Sequence, residues 1–143
     1  MTRYVYISSA GDKKIAIFTM DRESGKLTHC EDVALHDGPG PLAVHPNQTM
    51  LYAALRSSKE ILSFRIDPAS GSLSQVGRID LEEGPAMIST DRKGGYLLAA
   101  YYAAGAVSVH AINDAGVVVD PQLQWETTTK RAHYIEVDAS NQF

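Results

Sequence analysis

Apolar residues in this chain fall in short runs separated by small polar clusters, and the spacing of the runs is that of β-strands. LYAAL (51–55) and ILSFRI (61–66) are rich in Leu, Ile, Tyr and Phe and alternate in part between apolar and polar side chains. Turn residues bound them. In Asp67-Pro68-Ala69-Ser70-Gly71, Pro fixes φ, Asp caps the turn and Gly accepts a positive φ. LAVHPNQTMLYAAL and ISTDRKGGYLLAAY each read as two strands joined by a tight polar turn. No stretch joins a sustained helical period to capping residues, so the pattern predicts an all-β chain with almost no helix.

The pattern also repeats. Superposing KIAIFTMDRESGKLT (from Lys14), EILSFRIDPASGSLS (from Glu60) and AVSVHAINDAGVVVD (from Ala106) brings Ile15, Ile61 and Val107 into register, 46 residues apart each time. Asp21, Asp67 and Asn113 then coincide at a turn, and Gly25, Leu27 and Gly38-Pro39 fall on Gly71, Leu73 and Gly84-Pro85. The third copy lacks one turn residue, so Gly116 comes one place early. Four short strands in a unit of about 40–50 residues is the pattern of a β-propeller blade. Blades begin with their innermost strand. Residues 1–40 then form a first blade without its inner strand, with strands at 4–8, 15–20 and 27–33. Residues 41–86 form a complete blade with strands at 41–46, 50–55, 60–66 and 73–79. Residues 87–131 form a second complete blade, with strands at 87–90, 96–101, 106–112 and 117–122. Residues 132–143 begin another, with His133–Val137 as its inner strand. The expectation is about three blade-equivalents of four antiparallel strands, ending in mid-blade.

Composition narrows the function classes. The 143 residues are 44% hydrophobic and 21% charged, as in a soluble globular domain, and carry a net charge of −4 without a Lys/Arg cluster. That argues against nucleic acid, whose binders draw affinity from basic patches. No apolar run approaches the roughly 18 residues that span a membrane, and MTRYVYISSAGDKK does not read as a secretory signal. Cys30 alone can build neither an internal disulfide nor a zinc site, which points to a cytoplasmic setting. His29, His36 and His110 show no metal-ligand spacing, so neither metal nor cofactor is expected.

The succession of an inner strand, a His/Asp-Pro-Asp/Asn turn, LYAA or LLAA, and then VSVxxI resembles the seven-bladed lactonase propellers. That family includes propeller-type bacterial 6-phosphogluconolactonase and fungal 3-carboxymuconate lactonizing enzyme. LLAAYYAAGAVSVHAI (97–112) and YVYISSAGDKKIAIFTMD (4–21) carry the likeness most clearly. The resemblance implies a propeller of seven blades, of which this chain supplies less than half, and a lactone or sugar acid as small-molecule substrate. It implies hydrolysis of a sugar-acid lactone such as 6-phosphogluconolactone. Lactonization of a muconate-type diacid and a non-catalytic propeller binding module are the alternatives.

Propeller ligands sit at the central channel, so candidate residues lie beside inner strands. His133 resembles a histidine that the family carries at the channel entrance among its presumed catalytic residues. It is the expected general base toward water, or acid toward a leaving oxygen; the bland reading is a histidine at a frayed strand end. Arg56 has a counterpart in the family too, and its guanidinium suits a phosphate or carboxylate bidentately; a solvated arginine is the other reading. Tyr101 and Tyr102 occupy the matching loop one unit on, where one should pack and the other contact ligand. The family's Asn beside these tyrosines is absent here. His45 sits at the turn position filled by Asp91 and Asp138 elsewhere and reads as turn chemistry, and Lys130-Arg131 adds positive charge near His133. An incomplete first blade and a lone inner strand predict a homo-oligomer, by strand exchange, or further blades after residue 143.

Overall fold

The structure, a computed structural model, describes residues 2–142. Eleven strands make three antiparallel sheets, and no helix occurs among the described residues. β1 (Arg3–Ser9), β2 (Lys14–Met20) and β3 (Leu27–Ala34) form the first sheet. β4 (Pro39–Val44), β5 (Met50–Leu55), β6 (Glu60–Ile66) and β7 (Leu73–Asp80) form the second; β8 (Met87–Thr90), β9 (Tyr96–Tyr101), β10 (Ala106–Ala111) and β11 (Gln124–Thr127) form the third. Each sheet is a meander of sequence neighbours, joined by turns of four to six residues except for the longer connection before β11. The 46-residue step is visible in the backbone as well. Register shifts fall at Ile17/Phe18 and again at Ser63/Phe64, and positive φ recurs at Lys13, Lys59 and Gly105.

The core lies between sheets. Side chains alternate along β5, so Leu51, Ala53 and Leu55 face the first sheet and, with Leu62 and Phe64 of β6, pack against Ile15 of β2. Met50, Tyr52 and Ala54 face the third sheet and pack with Leu97, Ala99 and Tyr101 of β9. β5 is buried on both faces and is the centre of the described chain. Hydroxyls lock the joints in register: Tyr6 donates to the Gly71 carbonyl at 2.9 Å and Tyr52 to the Gly116 carbonyl at 2.8 Å. Gly71 is required there, because φ is +73° and a Cβ would collide with the Tyr4 ring.

Two strand expectations are corrected. Residues 117–122 do not form a continuous outer strand. Val118 bridges Ile112 and Val119 N–H donates to the Ala111 carbonyl, but Pro121 has no N–H and the ladder stops. Pairing resumes when Leu123 N–H donates to the Val109 carbonyl, and β11 follows. The inner strand expected at His133–Val137 is extended but belongs to no sheet. It is tied to the third sheet by side chains instead: Ser89 Oγ donates to the Ile135 carbonyl at 2.7 Å and Arg92 Nη2 to the Val137 carbonyl at 3.2 Å. A strand needs a neighbour's backbone to form a ladder, and none of the described strands lies alongside this segment in register.

Candidate functional site

Consecutive hairpin turns of a meander point to opposite ends, which gives each sheet two ends of different composition. At one end lie the turns 10–13, 56–59 and 102–105, each clamped by the connector that leaves its own sheet. Leu35, Leu81 and Thr128 donate their N–H groups to the carbonyls of Lys13, Lys59 and Gly105, each at 2.7 Å. The connectors then cross inward, and the turns and connectors together enclose an open cleft of about 490 Å³. All three sheets contribute to its wall, through Ala10, Asp37, Gly38, Gly40, Arg56, Ser57, Glu83, Gly84 and Ala103.

Arg56 is the cation of this cleft. Its aliphatic stem lies over Gly40, where a Cβ would come within 3.1 Å of Cδ and 3.2 Å of Cγ, so the glycine leaves room for the arginine. Among the described residues no carboxylate is within ion-pair distance of its guanidinium. The two carboxylates of the wall are committed to their own turns. Asp37 accepts from the N–H groups of Gly38 and Ser58, which hold its carboxyl below the usual range. Glu83 accepts the Gly84 N–H at 2.9 Å and stands 3.6 Å from Lys59.

Tyr102 and Ala103 share one turn, so the wall residue Ala103 has Tyr102 beside it. Tyr102 is partly exposed, and its ring meets the imidazole of His133 edge-on, with centroids 5.5 Å apart at 71°. His133 is exposed and stands, in repeat register, where Gly40 and Ala86 stand in the two earlier units. A chain of neighbours thus runs from Arg56 across the cleft to Ala103, Tyr102 and His133, placing a free guanidinium and an exposed imidazole at one end of the sheets.

Of the two tyrosines expected to divide between packing and ligand contact, Tyr101 is the one that packs and so is withdrawn from the candidate ligand contacts. It is fully buried, its hydroxyl is 2.7 Å from Ser108 Oγ, its ring packs on Trp125, and burial pushes its phenol above the ordinary value. Strand parity sends Tyr101 inward with Leu97 and Ala99, whereas Tyr102 begins the turn. His45 is a turn residue that also ties two sheets together: Nδ1 accepts from Asn47 N–H at 3.2 Å and Nε2 donates to the Gly94 carbonyl at 3.0 Å. His110 is buried with Nε2 2.9 Å from Ser108 Oγ, and His29 pairs with Asp32 at the edge of the first sheet. Among the described residues there is no group of three His, Cys, Asp or Glu residues suited to a metal and no helix long and apolar enough to cross a membrane.

Sequence reading missed one polar cluster near this end. Glu60, almost fully buried, accepts from Arg78, from Ser58 Oγ at 2.8 Å and from His36 Nε2 at 2.6 Å. It fastens the first connector to the second sheet. The cleft carboxylates were missed too, although Asp37 and Glu83 are one 46-residue step apart and so visible to a register comparison.

The family model of the seven-bladed β-propeller lactonases matches residues 4–143. The chain belongs to this family. Among curated relatives, 6-phosphogluconolactonase of Serratia proteamaculans is 35% identical over 142 residues, which is 99% of this chain and 42% of the relative. The corresponding protein of Yersinia pestis is 32% identical over the same shares. The chain therefore spans about 42% of the length of these lactonase relatives. Among solved structures, a Lactobacillus plantarum protein superposes with a TM-score of 0.87 at 18% identity, covering 99% of this chain and 45% of that one. The periplasmic gluconolactonase of Pseudomonas aeruginosa superposes with a TM-score of 0.73 at 25% identity, covering 87% and 38%. The three sheets are blades of the lactonase propeller, and the ends of the sheets are the faces of that propeller.

Proposed function

We propose that this chain is the part of a lactone hydrolase that carries the Arg56–His133 face, and that its substrate is a sugar-acid lactone such as 6-phosphogluconolactone. The observation that carries the reading is the uncommitted guanidinium of Arg56 in the same cleft-bearing face as the exposed imidazole of His133. The match to 6-phosphogluconolactonases over nearly the whole chain supports it. In this mechanism His133 takes a proton from water as the oxygen attacks the lactone carbonyl carbon. The ring C–O bond then breaks and the imidazolium returns the proton to the leaving oxygen, giving the open-chain acid. Arg56 holds the phosphate or carboxylate by charge-assisted hydrogen bonds. Further blades complete the channel wall, as the 42% coverage of the relatives suggests. A single cysteine, exposed and unpaired, supports a reducing cytoplasm as the compartment.

The test is hydrolysis of freshly prepared 6-phosphogluconolactone by the protein at its natural length, followed against the spontaneous rate. Acceleration over the spontaneous rate is expected. Lack of acceleration with this lactone and with unphosphorylated gluconolactone overturns the reading in favour of a binding module, and turnover of a carboxymuconate lactone alone moves it to the lactonizing alternative.

A further inference from the structure

We infer that Tyr102 is a positioning residue whose ring, not its hydroxyl, holds His133 in place; the inference rests on the proposed role of His133. A histidine that moves protons must present one nitrogen in a fixed direction, and proteins usually secure it by bonding the other nitrogen to a carboxylate or carbonyl. The two buried histidines are secured by hydrogen bonds: His45 bonds the Gly94 carbonyl and the Asn47 N–H, and His110 bonds the Ser108 hydroxyl. Among the described residues His133 has neither a hydrogen bond nor an ion pair. Its one defined contact is the edge-on meeting with Tyr102. Geometry of that kind suits an aromatic pair, with the electron-poor edge of one ring on the face of the other. It limits rotation of the imidazole while leaving both nitrogens open to water and substrate.

The surroundings fit this division of labour. Tyr102 is fixed at its base, because Tyr101 before it is locked into the core and Gly105 three residues later donates its N–H to the Tyr101 carbonyl at 2.9 Å. On the other side, Thr128 N–H bonds the Gly105 carbonyl, and the chain from Thr129 to Lys130 lies directly against Gly105. The turn bearing Tyr102 and the connector leading to His133 are therefore clamped together, and the ring pair sits at the end of that clamp. In the second unit the position of Tyr102 is taken by Arg56 and that of His133 by Ala86, so the ring pair is an addition to the repeat, not part of its packing.

The test compares Tyr102→Phe, Tyr102→Ala and Tyr102→Leu in the protein at its natural length, with two readouts. The imidazole proton shifts of His133 by NMR report ring contact whether or not any lactone turns over. Phe is expected to keep the ring-current shift and the kcat, whereas Ala is expected to lose the shift and lower kcat on the order of 10- to 100-fold with KM little changed. Leu, which preserves bulk without a ring, is expected to follow Ala and covers the case in which Ala unfolds. His133 shifts unchanged in Ala and Leu overturn the inference. So does a Phe variant that loses as much activity as Ala through a raised KM, since that makes the hydroxyl a substrate contact. Absence of lactone turnover in the wild type sinks the proposed function alone, and the NMR comparison still decides this one.

Discussion

The two faces of the blades carry histidines of opposite fate. On the face away from the cleft, His45 is nine-tenths buried, bonds Asn47 with one nitrogen and Gly94 with the other, and has no valence left for chemistry. On the cleft face, His133 is exposed and rests only against a tyrosine ring. Sequence distance does not separate them, since both stand near an inner-strand position of their unit. What separates them is which end of the strand they occupy. The far face is spent on packing, with His45 joining the second sheet to the third at Gly94 and Asn141 tying the C-terminal segment to Asp91, whereas the cleft face keeps a cation and an imidazole free. Stability and chemistry are thus divided between two ends of the same strands.

Substitutions are therefore expected to sort by region. The largest stability effect is expected in the joint between the second and third sheets, at Tyr101→Ala. Removing a fully buried aromatic that packs on Trp125 and bonds Ser108 should cost about 3–5 kcal/mol, read as a shift in the denaturant midpoint. A loss of substrate affinity without loss of stability at this position would restore Tyr101 as a ligand contact and break the comparison. Arg56→Ala is expected to do the reverse. Losing a charged hydrogen-bond partner is worth about 1.5–3 kcal/mol, so KM for a phosphorylated or carboxylated lactone should rise on the order of 10- to 100-fold. Its unfolding free energy should stay within about 0.5 kcal/mol of the wild type, as at an exposed site. A KM unchanged in steady-state assays would leave Arg56 a solvated surface residue.

The smallest expected effect concerns His110, the histidine between these extremes. Burial lowers its pKa, partly offset by the nearby Asp120 carboxylate, and its Nδ1 has no partner among the described residues. The folded state therefore binds the proton less readily than the unfolded state does. Stability from this source is complete above the ordinary histidine value of about 6.5 and is lost as pH falls through the lowered folded value. Urea titrations from pH 7.5 down to 4.5 should show His110→Gln with a flatter acid limb than the wild type. Parallel limbs would mean that His110 is protonated as easily folded as unfolded.

Much of the fold was legible because a repeat exposes its own register. Ile15, Ile61 and Val107 at equal steps locate the third strand of every blade, and the turns at Gly25, Gly71 and Gly116 mark its end. The outer strand of the third sheet was misplaced because apolar VVVD outweighed Pro121, and a missing N–H is a local veto that composition does not weigh. His133–Val137 reads as a strand by pattern, yet a ladder depends on a neighbour that pattern does not supply. In the candidate site, Arg56 and Tyr102 were readable from their place in the turns. Tyr101 was not separated from Tyr102, although its phase with Leu97 and Ala99 held the answer. The buried Glu60 cluster was out of reach, since His36, Glu60 and Arg78 meet only when the first connector folds over the second sheet.

The most direct test of the division between faces is a crossed pair, His133→Asn and His45→Asn, each assayed for lactone hydrolysis and for thermal unfolding in the protein at its natural length. The account expects His133→Asn to lose about 10²–10⁴-fold in kcat while its Tm falls by no more than the few degrees that loss of the exposed ring pair costs. It expects His45→Asn to lower Tm through the broken link to Gly94 while the turnover of the folded fraction is retained. A His133→Asn protein that hydrolyses the lactone at the wild-type rate, or a His45→Asn protein that folds normally and does not, would contradict it.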